Sequence, residues 1–254
     1  MMNPVVVRNI KIGEGIPKIC VPIVGVTKGE IIEEAKIVAE TSADLAEWRA
    51  DWYEDVFDFN KVQDALKEIR NILGSIPILF TFRTTKEGGE KVIDTEMYIA
   101  LNKMVVQTGN ANLVDVELFS GEDVVKEIID CAHEKGIKVI VSNHDFQKTP
   151  SAEEIITRLK TMQDLDADIL KIAVMPQTKE DVKILLEATK EMSSKYAKKP
   201  IATMSMSELG VRSRIEGEIY GSAITFGAAK KASAPGQMPV EELKKKLLEV
   251  HDSI

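Results

Sequence analysis

From residue 18 to the end of the chain, eight short apolar runs alternate with stretches whose apolar residues recur at helical spacing. The strand-like runs cover residues 19–26, 45–50, 78–82, 113–118, 139–143, 169–174, 201–205 and 223–226. Between them, residues 30–40, 61–73, 124–134, 152–162 and 181–192 repeat apolar side chains every three or four positions, as a helix with one buried face does. Parallel strands need a crossover long enough to hold a helix, so this alternation builds a parallel sheet. Eight repeats in 254 residues fit a closed (β/α)8 TIM barrel better than an open doubly wound sheet. Neither GxGxxG nor GxxxxGKS/T occurs, which removes the motif support for dinucleotide and P-loop readings. Ahead of the first run, residues 5–12 alternate apolar and polar side chains and then meet Gly13-Glu14-Gly15. An N-terminal hairpin within residues 1–16 is therefore expected to close the barrel floor. No linker, internal repeat or low-complexity run divides the chain, so residues 1–254 read as a single barrel domain.

Helix signals agree with this frame. Thr149-Pro150-Ser151 followed by Ala152-Glu153-Glu154 has the form of an N-cap and acidic first turn, and Lys135-Gly136 that of a basic last turn and its stop. The net charge of −8 argues against a nucleic-acid surface or a polybasic membrane contact. Cys20 and Cys131 lie in apolar segments without metal-ligand spacing and read as reduced core residues. The first residues lack the basic and long apolar regions of a signal peptide, and no apolar stretch is long enough to span a bilayer, so a cytoplasmic location is expected.

Strand side chains alternate between barrel interior and helix layer, so polar residues at period two mark the inward face. Glu47, Arg49 and Asp51 share one face of the second run; Thr81 and Arg83 share one in the third; Asp115 and Glu117 do so in the fourth. Ser142 aligns with His144 in the fifth, and Lys171 falls on the Ile169 and Ala173 face of the sixth. Charged groups from five consecutive strands thus converge towards the C-terminal mouth, where barrels of this kind carry their chemistry. Lys171, inside Ile169-Leu170-Lys171-Ile172-Ala173-Val174, needs either an ion-pair partner or a chemical task, because burial penalises an ammonium. An imine-forming amine is one such task. His133 and His251 fall in helical patterns and read as solvated or locally satisfied side chains.

The motifs Glu47-Trp48-Arg49, Thr81-Phe82-Arg83-Thr84-Thr85-Lys86-Glu87-Gly88-Gly89, Ser142-Asn143-His144-Asp145-Phe146, Lys171-Ile172-Ala173-Val174-Met175-Pro176 and Ala232-Ser233-Ala234-Pro235-Gly236-Gln237 resemble those of type I 3-dehydroquinate dehydratase over essentially the whole chain. The resemblance implies a homodimeric (β/α)8 lyase of the shikimate pathway that forms a Schiff base and uses no metal or other cofactor. It assigns the imine-forming amine to Lys171, the general base and acid to His144, and the partner of that histidine to Glu87. An ordinary imidazole pKa near 6.5 would serve both proton transfers. The resemblance further makes Arg214 the clamp for a substrate carboxylate, and Glu47, Arg49 and Arg83 the residues for ring hydroxyls. These three are expected to be held by mutual ion pairing that biases the pocket positively, with Asp115 and Glu117 opposing. Arg212 reads as a solvated loop charge. Residues 227–239 read as a loop, from which the resemblance implies that Ser233 and Gln237 close over substrate, and Met204 and Met206 read as apolar walls. An imine-forming aldolase shares the buried lysine and would need a phosphate nest after the last two strands, where no strong glycine-rich candidate stands. A carboxylate-binding barrel without turnover is the reading from a different class.

Overall fold

A computed structural model describes residues 3–230 and 232–254. The chain opens with a hairpin of β1 (Val5–Val7) and β2 (Ile10–Ile12). It continues as β3 (Lys18–Ile23), α1 (Lys28–Ala39), β4 (Leu45–Arg49), α2 (Phe59–Leu73), β5 (Ile78–Thr81), α3 (Thr95–Thr108), β6 (Leu113–Glu117) and α4 (Glu122–Glu134). The second half runs through β7 (Lys138–Asp145), α5 (Ala152–Asp164), β8 (Ile169–Val174), α6 (Lys179–Glu191) and β9 (Ile201–Ser205). Two short helices, α7 (Val211–Ile215) and α8 (Gly217–Tyr220), then lead to β10 (Ile224–Phe226) and α9 (Val240–His251).

Strands β3 to β10 form one parallel sheet in the order β10-β3-β4-β5-β6-β7-β8-β9. The circle closes where Ala223 N donates to Ile201 O at 2.7 Å and Ile201 bridges Ser222. The fold is the expected (β/α)8 barrel. Helix ends follow local chemistry: Thr27 and Thr178 cap α1 and α6 in reciprocal capping boxes with Glu30 and Asp181, and Ser151 accepts from Glu154 N at the start of α5. Gly136, with φ 71°, stops the chain beyond α4 as its sequence suggests.

Period-two alternation divides the apolar residues into two cores. Val21, Trp48, Phe80, Val114, Val141 and Leu170 face the helices. Cys20, Leu45, Leu79, Leu113, Ile140, Ile169, Ala202 and Ile224 form the layer inside the barrel, and Val5, Val7 and Ile12 of the hairpin pack under it. The floor is therefore closed by β1 and β2, with Val6 and Lys11 turned to solvent. The reversal lies at Arg8-Asn9, where Arg8 takes φ 53°, and the Gly13-Glu14-Gly15 segment instead carries the chain from the hairpin into β3. An apolar floor leaves the polar residues of the same inward face only one place to gather, the C-terminal half of the barrel.

Candidate active site

Above the apolar layer, the inward positions of successive strands carry Glu47, Thr81, Asp115, Ser142 and Lys171, all buried. One step higher stand Arg49, Arg83, Glu117 and His144. The C-terminal mouth opens into a cavity. It is lined by all nine side chains singled out by the sequence: Lys171, His144, Glu87, Glu47, Arg49, Arg83, Arg214, Ser233 and Gln237. Met204, Met206, Ala173, Phe146 and Phe226 add apolar wall, the two methionines as expected.

Lys171 has the ion-pair partners that a buried lysine needs. Its Nζ lies 3.3 Å from Asp115 Oδ2 and 3.7 Å from Glu47 Oε1, and it sits 4.6 Å from the centre of the Phe226 ring. The charges in contact with it are thus carboxylates, not the arginines that were to bias the pocket positively. Burial penalises the Asp115 carboxylate, but Arg83, Lys171 and the Ser142 hydroxyl outweigh that penalty and hold it below its ordinary range.

The expected mutual pairing of Glu47, Arg49 and Arg83 does not form. Arg49 makes a two-pronged bond to Asp51, Nε to Oδ1 and Nη2 to Oδ2, each 2.8 Å. Glu47 accepts from Thr81 Oγ1 at 2.9 Å. Arg83 donates to Asp115 at 2.8 Å, and to Glu117 Oε1 and Ser142 Oγ at 3.0 Å. Strand register explains the exchange of partners: Arg49 lies opposite Thr81, while Arg83, two residues beyond the Thr81–Asp115 pair, comes beside Glu117. Burial opposes the Arg83 cation, yet Asp115, Glu117 and Glu87 overcome it and keep the guanidinium charged.

Glu87 enters from the loop after β5. A tight turn over Thr85–Glu87 ends at Gly88 in the left-handed region, φ 82°, where a Cβ would meet the Phe146 ring at 2.4 Å. That turn aims Glu87 Oε2 at His144, whose Nδ1 and backbone N both donate to it at 2.9 Å. Asn143 Nδ2 donates to Oε1 at 3.0 Å. Burial raises the Glu87 carboxyl to about 7 despite nearby Arg83. Burial, together with Arg83, Lys171 and Arg49, pushes His144 well below the 6.5 assumed from its type alone. The imidazole is neutral at neutral pH. With Nδ1–H committed to Glu87, its Nε2 carries a free lone pair.

Arg214 closes another side of the cavity. It lies in α7 and is 1% exposed, yet it makes one hydrogen bond, from Nη2 to Pro235 O at 3.0 Å. Its Nε and Nη1 have no partner among the described residues, and burial alone lowers it to about 10. A guanidinium with donors left over is chemically suited to a carboxylate. Arg212 belongs to the same short helix rather than to a loop; it is solvated as expected, donating to Glu216 Oε2 at 2.7 Å. Ser233 and Gln237 bond to each other through two contacts, Ser233 N to Oε1 at 2.9 Å and Nε2 to Ser233 Oγ at 3.1 Å. His133 and His251 lie outside the cavity, on Asp168 and Glu218. Among the described residues, no cluster of three His, Cys, Asp or Glu side chains is arranged to hold a metal ion.

The type I 3-dehydroquinase sequence profile matches residues 19–253. The chain belongs to the type I 3-dehydroquinase family. A 3-dehydroquinate dehydratase of Clostridium botulinum is 56% identical over the full length of both chains. The crystal structure of a type I 3-dehydroquinate dehydratase from Clostridium difficile, with covalent modified comenic acid, superposes with a TM-score of 0.98, is 54% identical, and covers each chain completely. The 3-dehydroquinate dehydratase of Geobacillus kaustophilus gives a TM-score of 0.96 at 37% identity, covering 98% of this chain and 97% of that one. The resemblance drawn from five motifs is therefore a family relationship, and the aldolase reading is set aside.

Within this type I 3-dehydroquinase barrel, Asp51, Asn143 and Phe226 each contact a predicted site residue, although the sequence assigned none of them a role. Asp51 had a visible signal, two residues beyond Arg49 on the same face. Asn143 had none, since it lies on the face of β7 opposite His144 and reaches Glu87 only because the loop after β5 folds across it.

Proposed function

We infer that this chain is a 3-dehydroquinate dehydratase that eliminates water from 3-dehydroquinate through a Schiff base on Lys171 to give 3-dehydroshikimate, the third step of the shikimate pathway. The observation that carries this reading is the meeting, in one cavity, of a buried amine, a neutral imidazole braced by a carboxylate, and a guanidinium with two donor atoms unpartnered among the described residues. The substrate carboxylate would enter the two free donor positions of Arg214, which orients the ring with its ketone towards Lys171. As a free amine, Lys171 adds to the carbonyl carbon; loss of that oxygen as water leaves an iminium. The cationic nitrogen acidifies the neighbouring C–H, because the electron pair left behind delocalises into the C=N bond.

His144 Nε2 takes that proton, and Glu87 stabilises the imidazolium from the other side of the ring. The enamine then expels the β-hydroxyl, which leaves as water with the proton held by His144. One residue serving both transfers favours syn elimination. Hydrolysis of the product iminium returns Lys171. Glu47, Arg49 and Arg83 are assigned to the ring hydroxyls and their orientation, and Ser233 and Gln237 to a loop that shuts out bulk water while the imine exists. We assign the enzyme the family's homodimeric state, a cytoplasmic location, and a single barrel domain as its working unit; no helix among the described residues is long and apolar enough to cross a membrane.

Borohydride reduction with 3-dehydroquinate, followed by mass spectrometry, tests the proposal. The wild type should gain a covalent adduct on the peptide containing Lys171, Lys171→Ala should gain none, and His144→Ala should be trapped yet turn over about 10²- to 10⁴-fold more slowly. An adduct on Lys171→Ala, or undiminished turnover by His144→Ala, would overturn the assignment. Binding without adduct in the wild type would favour the non-catalytic barrel.

A further inference from the structure

We propose that Asn143 and Arg158 form a positioning relay that presents a hydrogen-bond donor to Glu87 and so keeps that carboxylate aimed as an acceptor at His144; the proposal rests on the dehydratase reading above. Neither residue lines the cavity. Arg158 projects from α5 and donates from Nη1 to Asn143 Oδ1 at 2.6 Å. Asn143, buried in β7, donates from Nδ2 to Glu87 Oε1 at 3.0 Å, and Glu87 Oε2 accepts from His144 Nδ1 at 2.9 Å. The direction of this chain follows from donor chemistry. A guanidinium has no acceptor, so Asn143 must turn its oxygen to Arg158 and its amide hydrogens to Glu87. Without Arg158, the amide can rotate half a turn and set its oxygen against the carboxylate, which only a protonated Glu87 would tolerate.

Arg158 is well held for this task. It also bonds Glu154, lies 4.0 Å from Asp145, and covers the Phe119 ring at 5.3 Å. The other charged groups facing Glu87 and His144 are Arg83, 3.6 Å from Glu87, with Asp115 and Glu117 behind it, and Lys171 and Arg49 across the cavity. None of these is altered by substituting Arg158, but Asp145 loses its cation, so Asn143→Ala, which keeps the Arg158 charge, separates the relay from a simple loss of charge.

The chain has three histidines, so the His144 ring can be followed by NMR against pH in ligand-free protein alongside the pH profile of kcat. In Arg158→Met, the midpoint of the Glu87–His144 pair should rise by about one pH unit, with kcat about fivefold lower at pH 7 and near wild type above pH 9. Arg158→Lys, which can still donate to Asn143, should restore most of the midpoint. Asn143→Ala should shift it in the same direction, and the double variant no further. An unmoved His144 midpoint in folded Arg158→Met, or a kcat loss equal at every pH, would overturn the relay. Failure of the wild type to dehydrate 3-dehydroquinate would overturn the proposed activity instead, while the ligand-free titration still decides the relay.

Discussion

Arg214→Met separates stability from function at one residue. Among the described residues the guanidinium is buried with a single hydrogen bond, and burial lowers it from the ordinary arginine range to about 10. At about 1.36 kcal/mol per pKa unit, that drop corresponds to roughly 3 kcal/mol of unfavourable burial carried by the ligand-free protein. Methionine fills much of the same space without a charge, and it forfeits the bond to Pro235 O, worth about 1 kcal/mol. The ligand-free variant should therefore be more stable by about 2 kcal/mol, which for a chain of this size raises Tm by roughly 4–8 °C. Activity should move the other way. Losing a desolvated charge pair with the substrate carboxylate costs about 2–5 kcal/mol, so kcat/KM should fall at least about 30-fold. Thermal unfolding without ligand gives the first quantity, and ultraviolet absorbance of the conjugated enone product gives the second. A ligand-free variant less stable than wild type by more than about 1 kcal/mol, or kcat/KM within about threefold of wild type, would refute the reasoning.

The wild-type kcat should fall as pH drops through about 7, because Glu87 takes up a proton there and a neutral carboxyl no longer stabilises the imidazolium formed when His144 accepts the substrate proton. Glu87→Gln should move that acidic limb to lower pH and lower the plateau about tenfold or more; a limb left in place would show that another group sets it. Arg83→Met should destabilise the fold by about 3–5 kcal/mol in denaturant titrations, since Asp115 and Glu117 lose their main cation; a loss under about 1 kcal/mol would contradict the role given to Arg83. Gly88→Ala should cost more than Gly74→Ala, a second positive-φ site with open space around it, because the new methyl must displace Phe146 as well as adopt the left-handed backbone. Equal stability losses, with kcat unchanged in Gly88→Ala, would detach this turn from the placement of Glu87.

Much of the barrel was legible from local pattern alone. A period of two in the strands decides which side chains face inward, and that parity held from Glu47 and Arg49 through Lys171 because a pleated strand has no other way to arrange alternate residues. Five motifs held eight residues that the fold then gathered, with Arg214, into one cavity. Which charges pair was not legible. Arg49 took Asp51, Arg83 took the acids of β6, and Lys171 came between Asp115 and Glu47, because partners across a closed sheet depend on the stagger between strands. Glu87 and Asn143 meet only when the loop after β5 folds over β7.

The low imidazole of His144 and the orphaned donors of Arg214 are also tertiary properties, since desolvation and surrounding charge come from every element that packs around a group. The sequence by itself determined the parity of each strand and the chemical kinds available at the mouth. Tertiary structure decided their partners and protonation, because both depend on distances between residues far apart along the chain.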